Sequence, residues 1–109
     1  MKAYIAGKIT GDPKYHEKFN TGQKALEYEG YTVLNPADLP EGMQPRDYMR
    51  VCFAMIDIAD VVAFLPDWDN SRGAILEYIY CEYVGKQTTF LKNLTAYKNL
   101  TAPVELGGF

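Results

Sequence analysis

Asp60-Val61-Val62-Ala63-Phe64-Leu65-Pro66-Asp67-Trp68-Asp69-Asn70-Ser71-Arg72-Gly73-Ala74-Ile75-Leu76-Glu77 starts as an unbroken apolar strand, crosses a short acidic loop and reopens as a helix. Val61 to Leu65 shows no polar alternation, which describes a strand covered on both faces. Ser71 stands where a helix N-cap belongs, and the helical pattern runs to about Val84 before Gly85 stops it. A doubly covered strand feeding directly into a helix is half of a parallel crossover unit, and that decides the fold class.

The same unit recurs upstream and downstream. Lys2 to Ala6 is a first strand, followed by the loop Gly7-Lys8-Ile9-Thr10-Gly11-Asp12-Pro13 and a helix in which Tyr15, Phe19, Gly22 and Leu26 recur at helical spacing. Gly30 ends that helix. Tyr31 to Asn35 is a second strand closed by Pro36, and Ala37 to Gln44 is a long link expected to cover or border a pocket. Pro45 suits the first turn of the next helix, whose Tyr48, Cys52, Met55, Ile56 and Ala59 share one face. Gln87 to Leu91 is a fourth strand. The expected architecture is a three-layer α/β sandwich, Rossmann-like or flavodoxin-like, with a parallel sheet in strand order 2-1-3-4 over residues 1–91. Residues 92–109 form a tail in which Lys92-Asn93-Leu94-Thr95-Ala96-Tyr97 is nearly repeated by Lys98-Asn99-Leu100-Thr101-Ala102. Each copy holds a glycosylation sequon, read as chance because Met1 to Gly7 resembles a strand rather than a secretion signal.

Composition narrows the function. A chain of 109 residues, 48% hydrophobic, has room for one core and no second domain. The net charge of −3 comes without a basic stripe, which argues against a duplex nucleic-acid partner and for a small ligand. No apolar run approaches membrane length, so no membrane partner is expected. Cys52 and Cys81 lie among apolar neighbours without metal-ligand spacing, reading as buried reduced thiols of a cytoplasmic protein that needs neither metal nor cofactor.

With order 2-1-3-4 the sheet reverses between strands one and three, so a ligand crevice is expected between Gly7–Gly11 and Pro66–Ser71. Gly7 and Gly11 would admit a ligand close to the backbone with Lys8 beside it, or would simply turn the chain; the spacing is not the dinucleotide fingerprint. Ser71, Arg72 and Gly73 begin a helix, where amides favour an anion, although capping accounts for Ser71 equally well. Asp67 and Asp69 flank Trp68, whose indole offers a stacking surface suited to a nucleobase, with one of the two acids expected to be structural. Asp60 reads as a cap and His16 as a surface residue. Glu77 lies roughly 9 Å along the helix axis at 1.5 Å per residue, but helical side chains lean back toward the N-terminus. Its carboxylate either faces the crevice, with the Tyr4 phenol as partner, or sits solvated on the outer face.

Taken together, Tyr4-Ile5-Ala6-Gly7, Asn35-Pro36, Ala59-Asp60, the block from Asp67 to Ala74 leading to Glu77, and Gly85-Lys86 resemble the nucleoside 2-deoxyribosyltransferase superfamily, in particular its small uncharacterised branch common in bacteria and their phages. The resemblance spans residues 1 to about 91. It implies a glutamate nucleophile, Glu77, attacking the anomeric carbon of a nucleoside or nucleoside monophosphate, with Tyr4 orienting it and Asp67 or Asp69 assisting base protonation. Gly7, Lys8, Asn35, Trp68, Asp69, Ser71 and Gly73 would bind substrate, Ser71 and Gly73 matching the phosphate-binding serine and glycine of related monophosphate hydrolases. A homo-oligomer is implied, since superfamily members complete their sites across a subunit interface. Where the superfamily commonly carries an aspartate in the helix before strand three, this chain has Cys52, with Asp57 on another helix face. That departure keeps a second expectation open: a non-catalytic binder of a nucleotide-derived small molecule such as a signalling nucleotide.

Overall fold

The computed structural model describes residues 1–92. Along them run β1 (Lys2–Ala6), α1 (Tyr15–Tyr28), β2 (Thr32–Leu34), α2 (Pro45–Ile58), β3 (Val61–Phe64), α3 (Arg72–Val84) and β4 (Gln87–Phe90), with 3-10 turns at Pro36–Asp38 and Trp68–Asn70. Among these residues four strands form one parallel sheet in the order β2-β1-β3-β4. The chain is thus the expected three-layer α/β sandwich, with β2, β3 and β4 one or two residues shorter than the sequence suggests. The expected tail, with its repeat and both sequons, lies outside the described residues from position 93 onward.

Strand pleating sorts the central residues between two cores. On β1, Ala3 and Ile5 join Phe19 and Leu26 of α1 together with Val61, Ala63 and Leu65. Tyr4 and Ala6 point the other way, to Cys52 and Ile56 of α2, Ala74 and Cys81 of α3, and Val62 and Phe64. Both faces of β1 and β3 are therefore covered, which is why their sequences lack polar alternation. Full burial of side chains such as Phe19, Leu26 and Ile56 contributes about 1.5–3 kcal/mol each from area removed from water. No helix among the described residues is long and apolar enough to cross a membrane.

Local signals end the elements where expected. Ser71 Oγ accepts the Ala74 amide at 3.2 Å, capping α3, and Gly85 closes it in the left-handed region at φ 75°. Asp60 caps no helix. Its carboxylate accepts the Lys2 amide at 2.7 Å and so ties down the start of β1. The link from Ala37 to Gln44 is held to α2, where the Tyr48 hydroxyl donates to the Pro40 carbonyl at 2.5 Å and accepts the Met43 amide at 3.3 Å.

Candidate functional site

Tyr4 lies on the α2/α3 side of β1 because of strand pleating, and Glu77 lies one and a half turns into α3. The two meet: Tyr4 Oη donates to Glu77 Oε2 at 2.5 Å, with 1% and 5% of the residues exposed. Glu77 therefore looks across the sheet, not into bulk solvent. Burial raises its carboxyl to about 7, against the opposing pull of the Tyr4 hydrogen bond. Tyr4 is driven well above the usual phenol range, by burial first and then by the charge of Glu77. Cys52 closes the group from α2 and lies beside the Tyr4 hydroxyl, its thiol pushed up to about 11 by burial. A thiol so raised stays protonated at neutral pH. Asp57 is turned elsewhere and accepts the Tyr80 hydroxyl at 2.6 Å.

Glu77 uses only Oε2 in hydrogen bonding, and Oε1 has no hydrogen-bond partner among the described residues. A carboxylate with one oxygen held and the other without a hydrogen-bond partner has a lone pair free for a nucleophile or general base to use.

The loops after β1 and β3 meet as expected, but they meet each other. Asp67 Oδ1 accepts the Lys8 amide at 3.3 Å, and Asp67 Oδ2 accepts from Lys18 Nζ. Lys18 also donates to the Lys8 carbonyl and to Asp12 Oδ2, each at 2.7 Å. Asp67 is thereby the structural acid of the pair flanking Trp68. Asp69 is exposed, and no hydrogen bond or ion pair holds it among the described residues. Gly7 does serve a close approach, although the approaching group is protein: a Cβ there would lie 2.7 Å from Leu65 Cδ1. Lys18 was not legible as a site residue, although a cation in the first turn of a helix, where the dipole disfavours it, is a signal that could have drawn attention.

Trp68 is partly buried in an aromatic cluster with Phe64, Tyr78 and Phe90, at centroid distances of 5.4, 5.0 and 5.8 Å. One edge of this cluster borders an open depression of about 410 Å³ lined by Phe64, Leu65, Pro66, Trp68, Phe90, Leu91 and Lys92. It lies at the carboxyl ends of β3 and β4 and includes neither Tyr4 nor Glu77, so it is displaced from the switch point between β1 and β3. The link from Ala37 to Gln44 does not border it. Asn35 is consumed structurally, its Oδ1 accepting the Ala37 amide at 2.9 Å and its Nδ2 donating to Gln23 at 2.8 Å. Gly73 sits against α2, with Met49 Sδ 3.6 Å from where its Cβ would be. His16 is exposed.

The family described as Domain of unknown function (DUF4406) matches residues 1–90. The chain belongs to this family. No curated protein matches it. The match covers every described element of the fold, from β1 through β4, and so takes in Tyr4, Cys52 and Glu77 together. Among the described residues no cluster of three or more His, Cys, Asp or Glu is placed to hold a metal ion.

Proposed function

We propose that this member of the DUF4406 family cleaves the N-glycosidic bond of a nucleoside or nucleoside monophosphate, as a hydrolase or a deoxyribosyltransferase, with Glu77 as nucleophile. The observation that carries this reading is the buried Tyr4–Glu77 hydrogen bond, which holds one carboxylate oxygen and leaves the other without a hydrogen-bond partner among the described residues. A carboxyl group near 7 is substantially ionised at neutral pH, and its burial makes transfer of its charge into a covalent bond favourable. The likeness of the Asp67–Glu77 block to the nucleoside 2-deoxyribosyltransferase superfamily supports the substrate class.

In the proposed reaction Glu77 Oε1 attacks the anomeric carbon while the carbon–nitrogen bond breaks, its electron pair passing to the base. The departing base takes a proton from solvent water, which Asp69 is the candidate to orient because Asp67 is engaged with Lys18. The product is a glycosyl ester of Glu77. Water attacks it in a hydrolase and a second nucleobase in a transferase, either restoring the carboxylate. Tyr4 orients Glu77, Trp68 stacks on the base, and Ser71 with Gly73 lies toward a phosphate where one is present. No cofactor takes part.

The protein would act in the cytoplasm, as the free thiols of Cys52 and Cys81 support, and as a homo-oligomer. Exposed Leu76, Ile79 and Tyr83, at helical spacing on α3, supply an apolar stripe suited to a second copy. Liquid chromatography of a mixed pool of deoxynucleosides and their monophosphates tests the reading: free base should accumulate with the protein and not with Glu77→Ala. A second reading draws on Cys52, a thiol that cannot shuttle a base proton as an aspartate would. On that reading the protein binds a nucleotide-derived small molecule without cleaving it. It predicts thermal stabilisation by a member of the pool, recovered intact.

A further inference from the structure

We propose that Lys18 is a positioning residue that locks the loop after β1 to the loop after β3, fixing the wall on which Trp68, Asp69 and Ser71 stand. An ammonium group has three protons to donate. Lys18 Nζ directs them to the Lys8 carbonyl and Asp12 Oδ2, each at 2.7 Å, and to Asp67 Oδ2. Asp67 Oδ1 then returns to the Lys8 amide at 3.3 Å, closing a ring of hydrogen bonds between residues 59 positions apart.

This cluster differs from an ordinary surface ion pair. The Lys18 side chain is 17% exposed and that of Asp67 28%, so solvent screens the contact only in part. Lys18 is also the fourth residue of α1, where the positive end of the helix dipole opposes a cation, and the carboxylates of Asp12 and Asp67 offset that repulsion. The Asp12 carboxyl is held below the usual carboxylate range chiefly by its hydrogen bond from Lys18.

Beneath the lock the loops are already in contact, with Leu65 donating its amide to the Ala6 carbonyl at 2.8 Å and packing on Gly7. Beyond it the chain is tightly tethered: Trp68 N donates to the Leu65 carbonyl at 3.0 Å and Asn70 N to the Asp67 carbonyl at 2.9 Å. The Trp68–Asn70 turn leads straight to the Ser71 cap, so moving Asp67 moves Trp68, Asp69 and the first turn of α3 as a unit. One lysine thereby sets the placement of the base-side wall relative to the tip of β1.

Trp68 is the only tryptophan in the chain, which makes its fluorescence a direct reading of this loop. The full chain is compared with Lys18→Met, Asp67→Asn, the double variant, Lys18→Arg, and Lys24→Met as a control elsewhere on α1. Both single variants should shift the emission to the red and raise acrylamide quenching about twofold. The double variant should go no further than either one, and Lys18→Arg should recover part of the change. Should Lys18→Met not fold, Asp67→Asn against Asp12→Asn carries the test, because only the former removes the charge that Lys18 meets on the loop after β3. Wild-type emission and quenching in folded Lys18→Met or Asp67→Asn would overturn the proposal, as would strictly additive changes in the double variant. Turnover does not enter this measurement, so its outcome is separable from that of the glycosidase reading.

Discussion

Tyr4 and Glu77, 73 positions apart in sequence, share a 2.5 Å hydrogen bond inside the core, formed where β1 passes beneath the second turn of α3. Neither side chain belongs in such a place alone. A carboxyl group taken out of water without a partner is strongly disfavoured, and the phenol proton is what lets Glu77 occupy the site. The raised carboxyl and the raised phenol are two consequences of that burial.

Stability should fall as pH rises through the range that Glu77 titrates. Its folded value of about 7 exceeds the ordinary 4.5, so below 4.5 both folded and unfolded chains carry the proton and nothing is lost. Between 4.5 and 7 the unfolded chain releases a proton that the native protein keeps, so unfolding becomes progressively easier. Above 7 the loss is complete at about 3 kcal/mol, since each pH unit separating the folded and unfolded values contributes about 1.4 kcal/mol. Chemical denaturation of wild type and Glu77→Gln at pH 5 and pH 8 checks this, with Glu77→Gln expected to remove most of the decline.

Tyr4→Phe should move the pH dependence of turnover. The phenol hydrogen bond holds the Glu77 carboxyl lower than burial alone would, so its removal should carry the rising limb of kcat/KM to higher pH. The same variant should cost about 1–3 kcal/mol of stability by leaving a buried oxygen without its donor. A limb at the wild-type position in a folded Tyr4→Phe would disconnect the phenol from the reacting carboxylate.

Gly7→Ala should be destabilising by about 1–3 kcal/mol through overpacking. Its Cβ would sit 2.7 Å from Leu65 Cδ1 and 3.1 Å from both Leu65 Cβ and Cγ, and Leu65 is wholly buried, so side chain or backbone must shift. In Gly7→Ala with Leu65→Ala the two losses should be less than additive, as measured by urea unfolding.

Ser71→Ala should remove the α3 cap and cost about 1 kcal/mol. For a chain of this size that is a lowering of Tm by about 4–8 °C by differential scanning fluorimetry. Ser71→Asp, which keeps an acceptor at the helix start, should restore most of it.

The fold was legible in the sequence because its signals are local. The unbroken apolar runs at Ala3–Ala6 and Val61–Leu65, the Ser71 cap and Gly85 each act within a few residues, and a parallel sheet follows from their alternation with helices. Glu77 was legible for a related reason: apolar neighbours around a lone acid require a partner, and β1 offers Tyr4. The loops were harder. Asp67 and Asp69 look alike in sequence, and only the approach of Lys18 from another element separates the engaged acid from the open one. Asn35 and Gly7 resemble ligand-binding residues because capping and close packing call on the same side-chain properties as binding does. The depression beside Trp68 depends on how Phe64 and Phe90 stack across β3 and β4, a pairing between strands that no short motif encodes.

The most direct measurement of the central claim is the mass of the protein after reaction with a nucleoside or nucleoside monophosphate bearing fluorine at the sugar C2′, which slows hydrolysis of a glycosyl ester. A Glu77 nucleophile predicts one equivalent of released base, a mass gain of one fluorinated glycosyl unit, and a peptide map that places it on Glu77. Base release from an unmodified protein, a modification on any other residue, or no release from any substrate in the pool would contradict it.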